Sequence, residues 1–365
     1  MSTRIGIVGM PNAGKSSLFN ALTKAGAEAA NYPFTTIEPN VAVVPVRDER
    51  LEQVARTVGA SEIVWDTIDF HDIAGLVAGA HQGEGLGNRF LANIRETDAI
   101  VHVVRAHGDE NVIHPEGTVD PLRDIETIET ELVLADLEQA ERRIERVARQ
   151  ARSGDRAAVA EEAWLREVIE ALQAGRPVRI VAVPEEAPNA ARDLGSLTVK
   201  PVLFVANVDE GAEEVPAEIA VHAAEQGARA VAVSSRIESE LAELDDADAA
   251  AMRAELGVRG SDPHPPLERV VREAFALLEL IAFFTAGEAK PAQSWHLRQG
   301  LTAWHAAGEI HSDIQKGFVR AEVIGWLALV EAGGYAGARE QGTLRLEGRD
   351  YVMADGDVIN VKFTP

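Results

Sequence analysis

The chain has 365 residues, 46% of them apolar and 26% charged, with 35 basic against 59 acidic side chains and a formal charge of −24 at pH 7. That length suggests two or three domains at about 150 residues each, and that charge excludes a generally basic coat steering the whole molecule onto nucleic acid. Without cysteine, disulfides, thiol catalysis and cysteine-based zinc sites are excluded. No run of about 18 apolar residues is present, so neither a transmembrane helix nor a membrane partner is expected. Residues 1–4 lead straight into an apolar strand with no signal-peptide core, which makes the cytoplasm the expected compartment.

Residues 5–9 read as a short buried strand, and residues 15–23, with Leu18, Phe19 and Leu22 at helical spacing, as the helix that follows. Residues 41–46 are apolar and β-branched, a second strand. Residues 63–72 alternate and end in Asp72-Ile73-Ala74-Gly75, a strand running into a loop. Residues 99–105, 201–207 and 228–234 are three more buried strands. Strands of this kind separated by helical stretches predict the α/β class, a mostly parallel, doubly wound sheet with helices on both faces. The alternation is interrupted at residues 124–151, where Ile125, Ile128, Leu132 and Ala135, then Ile144, Val147 and Ala151, recur at three- and four-residue steps. Ser153-Gly154-Asp155 signals a turn, and residues 156–174 resume helical spacing through Val159, Trp164, Val168 and Leu172. An antiparallel helical hairpin inserted into the sheet domain is predicted. Arg142, Arg143, Arg146, Arg149, Arg152 and Arg156 make it locally basic, although a solvated face carrying i,i+4 Glu–Arg pairs would look the same. Asp262-Pro263-His264-Pro265-Pro266 starts a helix, and beyond residue 278 the composition changes. Residues 280–285, 293–297, 343–347, 351–353 and 358–363 predict the strands of a small mixed α+β domain. The expected division is 1–122 with 196–278 for the sheet domain, 123–195 for the hairpin and 279–365 for the last domain.

The chemistry is carried by Gly9-Met10-Pro11-Asn12-Ala13-Gly14-Lys15-Ser16, which fits the phosphate-loop pattern Gly-x4-Gly-Lys-Ser/Thr between a predicted strand and a predicted helix. Gly9 and Gly14 allow the backbone angles that aim successive N–H groups from Asn12, Ala13 and Gly14 through Ser17 into one concavity, and the helix start adds a positive dipole end. Lys15 supplies a point charge to the β- and γ-phosphates, and the Ser16 hydroxyl is placed for Mg²⁺. Asp72 follows a strand as a magnesium-side carboxylate should, with the Gly75 N–H meeting the γ-phosphate. An Asp there could instead cap its loop, and Asp66 and Asp69 lie nearby. Between the first helix and second strand, Asn31-Tyr32-Pro33-Phe34-Thr35-Thr36 can close over the metal through Thr36, with Thr35 as the alternative.

Base recognition departs from the guanine-specific pattern. Such enzymes carry Asn-Lys-x-Asp after the fifth strand, where the Asp accepts from the guanine N1–H and exocyclic amine. Here the segment is Asn207-Val208-Asp209-Glu210. Val208 replaces the stacking Lys, and Glu210, one methylene longer, misplaces the paired bonds. Adenine lacks both donors, so the main reason to reject ATP is gone. Asp209 could serve guanine only by shifting the loop. Ser234 and Ser235, after the next strand, would complete the pocket or simply form a turn. Leu76 stands where Ras-like enzymes have a water-orienting Gln, so hydrolysis needs another group, a cation or a partner. His81, His107 and His114 are the nearest histidines. Gly83, Gly85 and Gly87 do not follow a strand directly and read as a loop hinge.

At these residues the chain resembles the Obg-like ATPases, the YchF family, along essentially its whole length. The resemblance is carried by GIVGMPNAGKSSLFNALT (6–23), NYPFTTIEPN (31–40), DIAGLVAGAHQGEGLGNRFL (72–91), DIETIETELVLADLE (124–138), NVDE (207–210), FFTAG (283–287), HSDIQKGFVRAEVI (311–324) and YVMADGDVINVKF (351–363). It implies a P-loop G domain, an inserted coiled-coil arm and a C-terminal TGS domain of β-grasp type. It also implies Mg²⁺-dependent hydrolysis of ATP, with GTP as a possible second substrate. The family's fourth motif ends in Glu, as at Glu210, and its catalytic Gln is a hydrophobic residue, as at Leu76. Its hydrolysis depends on a histidine just before a Gly-x-Val-Asp/Asn-Pro segment. His114, ahead of Gly117-Thr118-Val119-Asp120-Pro121, matches that position, with Pro115 as a local departure. Asn12 resembles the loop Asn that accompanies a K⁺ ion in related enzymes. Family members associate with ribosomes, so the resemblance implies a large-subunit or ribosomal RNA contact through arm and TGS domain, and a monomer. The alternatives are an Obg-class GTPase and a nucleotide-gated RNA- or ribosome-binding module with negligible turnover.

Overall fold

The computed structural model describes residues 3–29, 40–73, 86–108, 117–255 and 264–364. In chain order, the strands among them are β1 (Thr3–Val8), β2 (Val41–Pro45), β3 (Ile63–Val64), β4 (Thr67–Asp72), β5 (Ala99–Arg105), β6 (Val202–Asn207), β7 (Arg229–Val233), β8 (Leu280–Thr285), β9 (Ala292–Arg298), β10 (Phe318–Gly325), β11 (Arg345–Glu347) and β12 (Asp357–Phe363). The chain forms two compact units. One combines Thr3–Val44 with Asp69–Leu277, the other Pro45–Ile68 with Leu278–Pro365.

In the first unit the sheet order is β2-β4-β1-β5-β6-β7. The pairs β1–β5, β5–β6 and β6–β7 are parallel, with Val8 opposite His102 and Arg105 opposite Asn207. Every residue of β5 and β6 is buried, as a parallel sheet covered on both faces requires. The strand order reverses at β1. The chain leaves it toward β2 and β4 on one side, and β5 lies on the other. The crevice beyond the carboxyl end of β1 is therefore the topological switch point, where such sheets bind ligands.

The helical hairpin forms as its periodicity predicts, over Pro121–Ala151 and Arg156–Gln173. Asp120 caps the first helix by accepting from the Arg123 N–H, with Pro121 in the first turn. Gly154, at φ 84°, makes the turn, and Asp155 caps the second helix through the Ala157 and Ala158 N–H groups. The long helix serves two cores. Ile125, Ile128, Leu132 and Ala135 pack with the sheet, among Phe204, Val202 and Leu197. Further along, Val133, Ala140 and Val147 pack with Trp164, Leu165, Val168 and Leu172 of the second helix. Asp136, fully buried, accepts from the Leu197 and Thr198 N–H groups and from the Ser196 and Thr198 hydroxyls, anchoring the base of the arm. The arm belongs to the first unit because this helix shares the sheet's core.

Two sequence expectations are corrected in the second unit. Residues 63–72 do not make one strand. Ile63 and Val64 pair in parallel with Ala292 and Gln293 of β9, while Thr67–Asp72 joins the parallel sheet. The break falls at Asp66, whose N–H donates to Ser294 Oγ at 2.8 Å and whose carboxylate holds both the Thr67 N–H and His296 Nδ1. This also removes Asp66 as a rival to Asp72. Residues 45–68, expected in the sheet domain, belong instead with the C-terminal unit. Their helix Glu49–Val58, capped by Asp48, buries Leu51, Val54, Ala55 and Val58. Its Arg50 pairs with both Asp48 and Asp355, each ion pair within 2.7 Å. The mixed sheet of this unit runs β11-β10-β12-β8-β9-β3 around a core of Ile281, Phe283, Leu297, Ala306, Val323 and Ile359. β10 was not anticipated, and the strand expected over 351–353 reduces to one bridge between Val352 and Thr302.

Candidate nucleotide site

The segment after β1 turns back toward the sheet before the helix Lys15–Ala29 begins. Gly9 has φ 155°, and a Cβ there would lie 2.4 Å from the Val103 carbonyl oxygen, so backbone from β5 excludes any side chain. Gly14 has φ 103°, with the Asn207 amide in the space a Cβ would fill. Asn12 itself holds φ 62°, left-handed and uncommon outside glycine. Three positive φ angles within six residues curl the loop at the switch point, the kind of backbone that forms an anion-binding concavity.

Lys15 is 8% exposed, and its Nζ donates to the Met10 carbonyl at 2.8 Å. Burial pushes its ammonium below the ordinary value, with Asp72 opposing that shift, and burial raises the Asp72 carboxyl with Lys15 opposing. Each charge thus acts on the other across the space between the phosphate loop and the end of β4. Hydrogen bonds from the Ile73 N–H to Ile7 and from the Asp72 N–H to Asn40 fix the end of β4 there. Ser16, in the first turn of the helix, is exposed to the cleft. Its hydroxyl and the Asp72 carboxylate are hard oxygen donors. Among the described residues no three His, Asp or Glu side chains gather to hold a metal alone. The donor set suits Mg²⁺, which takes few protein ligands and completes its shell from water and substrate phosphates.

The other end of the cleft is built on Asn207. Its amide donates to the Ala13 carbonyl at 3.0 Å and accepts from the Ser235 N–H at 2.9 Å. One buried side chain thus ties the phosphate loop, the end of β6 and the helix Ser235–Leu241 together. Together these segments surround an open cleft of about 890 Å³. Val208 is buried at 5% exposure, and Asp209 and Glu210 face solvent. Asn12, Gly14, Lys15, Ser16, Ser17, Asn207, Val208, Glu210, Ser234 and Ser235 all line this cleft, whereas Ala13 lies beneath it and acts through its carbonyl. Thr36, Gly75 and His114, with Thr35, Leu76 and His81, lie outside the described residues. Three lining residues were not assigned to the pocket from sequence, His107, Gly108 and Arg236, and Asp209, weighed there only through a loop shift, lines it as well. The carboxylate of Glu210 is ion-paired with Arg236. The signal for Arg236 was its position, directly after Ser234 and Ser235.

A phosphate loop at the switch point of a parallel sheet, with a lysine, a serine and a facing carboxylate, defines a P-loop nucleoside triphosphatase. Residues 4–146 match a family model described as "50S ribosome-binding GTPase", and residues 280–364 match the YchF-GTPase C-terminal model, described as "Protein of unknown function". The chain is 49% identical to the "Ribosome-binding ATPase YchF" of Haemophilus influenzae, over 100% of this chain and 99% of that protein. It is 46% identical to the protein of the same name from Bacillus subtilis, over 100% of both. Its structure resembles that of the Schizosaccharomyces pombe YchF GTPase, with TM-score 0.86 at 33% identity, over 99% of this chain and 98% of that one. The chain belongs to the YchF family.

Proposed function

We propose that this chain hydrolyses ATP to ADP and phosphate with Mg²⁺, takes GTP as a second substrate, and presents its nucleotide state to the ribosome. The observation that carries this is the cleft. A preformed phosphate loop faces a base loop in which Val208 and Glu210 stand where guanine selection needs Lys and Asp. The two curated relatives, each named a ribosome-binding ATPase, support the activity and the partner.

In this assignment the loop amides and Lys15 bind the triphosphate, and Ser16, Asp72 and Thr36 would hold the metal. When bound, Mg²⁺ neutralises charge building on the phosphate oxygens. The Gly75 N–H meets the γ-phosphate, and His114 orients the attacking water in place of the glutamine that Leu76 replaces. K⁺ beside Asn12 would supply further charge. The expected test result is phosphate release that falls in a Lys15→Ala variant and rises with K⁺. Equal release by both proteins at every K⁺ concentration would remove the catalytic assignment. Competition of labelled ATP by GTP at equilibrium decides the base, and a hundredfold preference for GTP would make the chain an Obg-class GTPase.

The ribosomal contact is assigned to the arm and the C-terminal domain. Arg142, Arg146, Arg149, Arg152 and Arg156 are exposed along the arm, whereas Arg143 is tied to Glu161 across the hairpin at 2.6 Å. Co-sedimentation with 50S subunits should depend on nucleotide and weaken with salt, because phosphate contacts release counterions.

A further inference from the structure

We propose that Arg236 sets the base preference of the cleft by controlling how much of the Glu210 carboxylate is free to accept hydrogen bonds from a purine. The inference rests on the reading that the cleft takes a purine nucleoside triphosphate, and it names the residue that tunes which one. Glu210 occupies the place where a guanine-selective loop has its acceptor Asp. In this chain that carboxylate is engaged through its Oε1 by Arg236 Nη2. Arg236 is held from the other side as well, its Nε lying 3.7 Å from Glu240 Oε1 one helical turn on. The backbone beneath the pair is rigid. The Ser235 N–H bonds Asn207 Oδ1 at 2.9 Å, and the Val208 N–H bonds the Val233 carbonyl at 3.0 Å.

The two purines ask different things of such a carboxylate. Guanine presents two adjacent donors, N1–H and the exocyclic amine, and needs both oxygens turned to the ring. Adenine presents neither, since its N1 is an acceptor and its amine sits on C6, so it makes no such demand. With Oε1 held toward the helix by the Arg236 guanidinium, one oxygen remains for the base. Adenine binds without asking the pair to open, and guanine must first break it. The pair is exposed, with side chains 66% and 42% accessible, so it is weak in the empty cleft. A bound ring displaces water from it and strengthens it. Arg236 is thus a positioning residue acting through Glu210.

The test is the ratio of dissociation constants, GTP over ATP, measured by competition against a labelled nucleotide on the full chain. In Arg236→Gln the ratio should fall by about fivefold, the upper end of what an exposed ion pair is worth. Arg236→Lys, which keeps the charge but loses the fork, should fall between. On a Glu210→Gln background, Arg236→Gln should leave the ratio unchanged, since no carboxylate is left to free. Raising salt should lower the wild-type ratio and leave that of Arg236→Gln unchanged, because screening weakens an exposed pair. A ratio within twofold of wild type in Arg236→Gln, with both nucleotides still binding, overturns the inference alone. Failure of wild type to bind either nucleotide overturns the reading of the cleft and the inference with it.

Discussion

At the phosphate end of the cleft, the β5 backbone leaves no room for a side chain at Gly9, and Lys15 is buried with its ammonium on a carbonyl. At the base end, Asp209, Glu210 and Arg236 are exposed, and Arg236 pairs with Glu210 in solvent. The triphosphate is the same in every nucleotide, so on the proposed reading main-chain amides and one lysine suffice, and a side chain at Gly9 collides with packed backbone. Bases differ by a few donors and acceptors, so their recognition rests on side-chain tips that can change without touching the sheet. Asn207 joins the two, with one hydrogen bond into each.

The comparison breaks most severely if its phosphate end fails. Lys15→Ala should cut steady-state phosphate release by about 10²- to 10³-fold, the size of one lost transition-state charge contact. A loss under tenfold would move the work elsewhere. Asn207→Ala should cost about 2–4 kcal/mol in urea unfolding, because the Ala13 carbonyl and the Ser235 N–H both lose their buried partner. It should also weaken binding of ATP and GTP alike, which would separate this junction from either end.

A third test concerns the strand beneath the loop. His102 of β5, opposite Val8 and 2% exposed, is pushed down to about 3 by burial first, then by Lys15 and His222. Its folded value lies below the unfolded one, so between pH 6.5 and 3 the unfolded chain binds the extra proton. Stability should therefore fall as pH falls through that window and be unaffected by this group above it. Between pH 6.5 and 5, wild type should lose about 2 kcal/mol more than His102→Leu, read from urea midpoints. Equal losses would show that the histidine titrates normally. The smallest effect belongs to the base end. Glu210→Asp should shift preference toward GTP by about fivefold, one hydrogen bond's worth, with phosphate release on saturating ATP nearly unchanged. A matching fall in ATP turnover would mean the two ends are not separable.

Much of this was legible locally. Gly9, Gly14, Lys15 and Ser16 announce their loop because its backbone angles demand glycine at set positions, and the apolar runs of β5 and β6 announce a sheet buried on both faces. The hairpin was legible for a similar reason, since its apolar residues recur at helical steps and Ser153-Gly154-Asp155 turns it within a few residues. Residues 63–72 misled because an alternating pattern cannot report that its two halves pair with different sheets. Asp66 divides them through His296, 230 positions away in the chain. Arg236 was missed because nothing in the residues around it mentions Glu210.

By itself the sequence determined what depends on neighbours along the chain: the phosphate loop, its strand and helix, the arm, and the loss of the guanine motif at Val208 and Glu210. Only the tertiary structure decided that residues 45–68 build the C-terminal unit, that Asn207 joins three segments, and that Arg236 holds Glu210. The reason is physical. Turns, caps and periodicity are set by forces that act within one or two turns of chain, whereas burial and ion pairing act between whatever groups folding brings together.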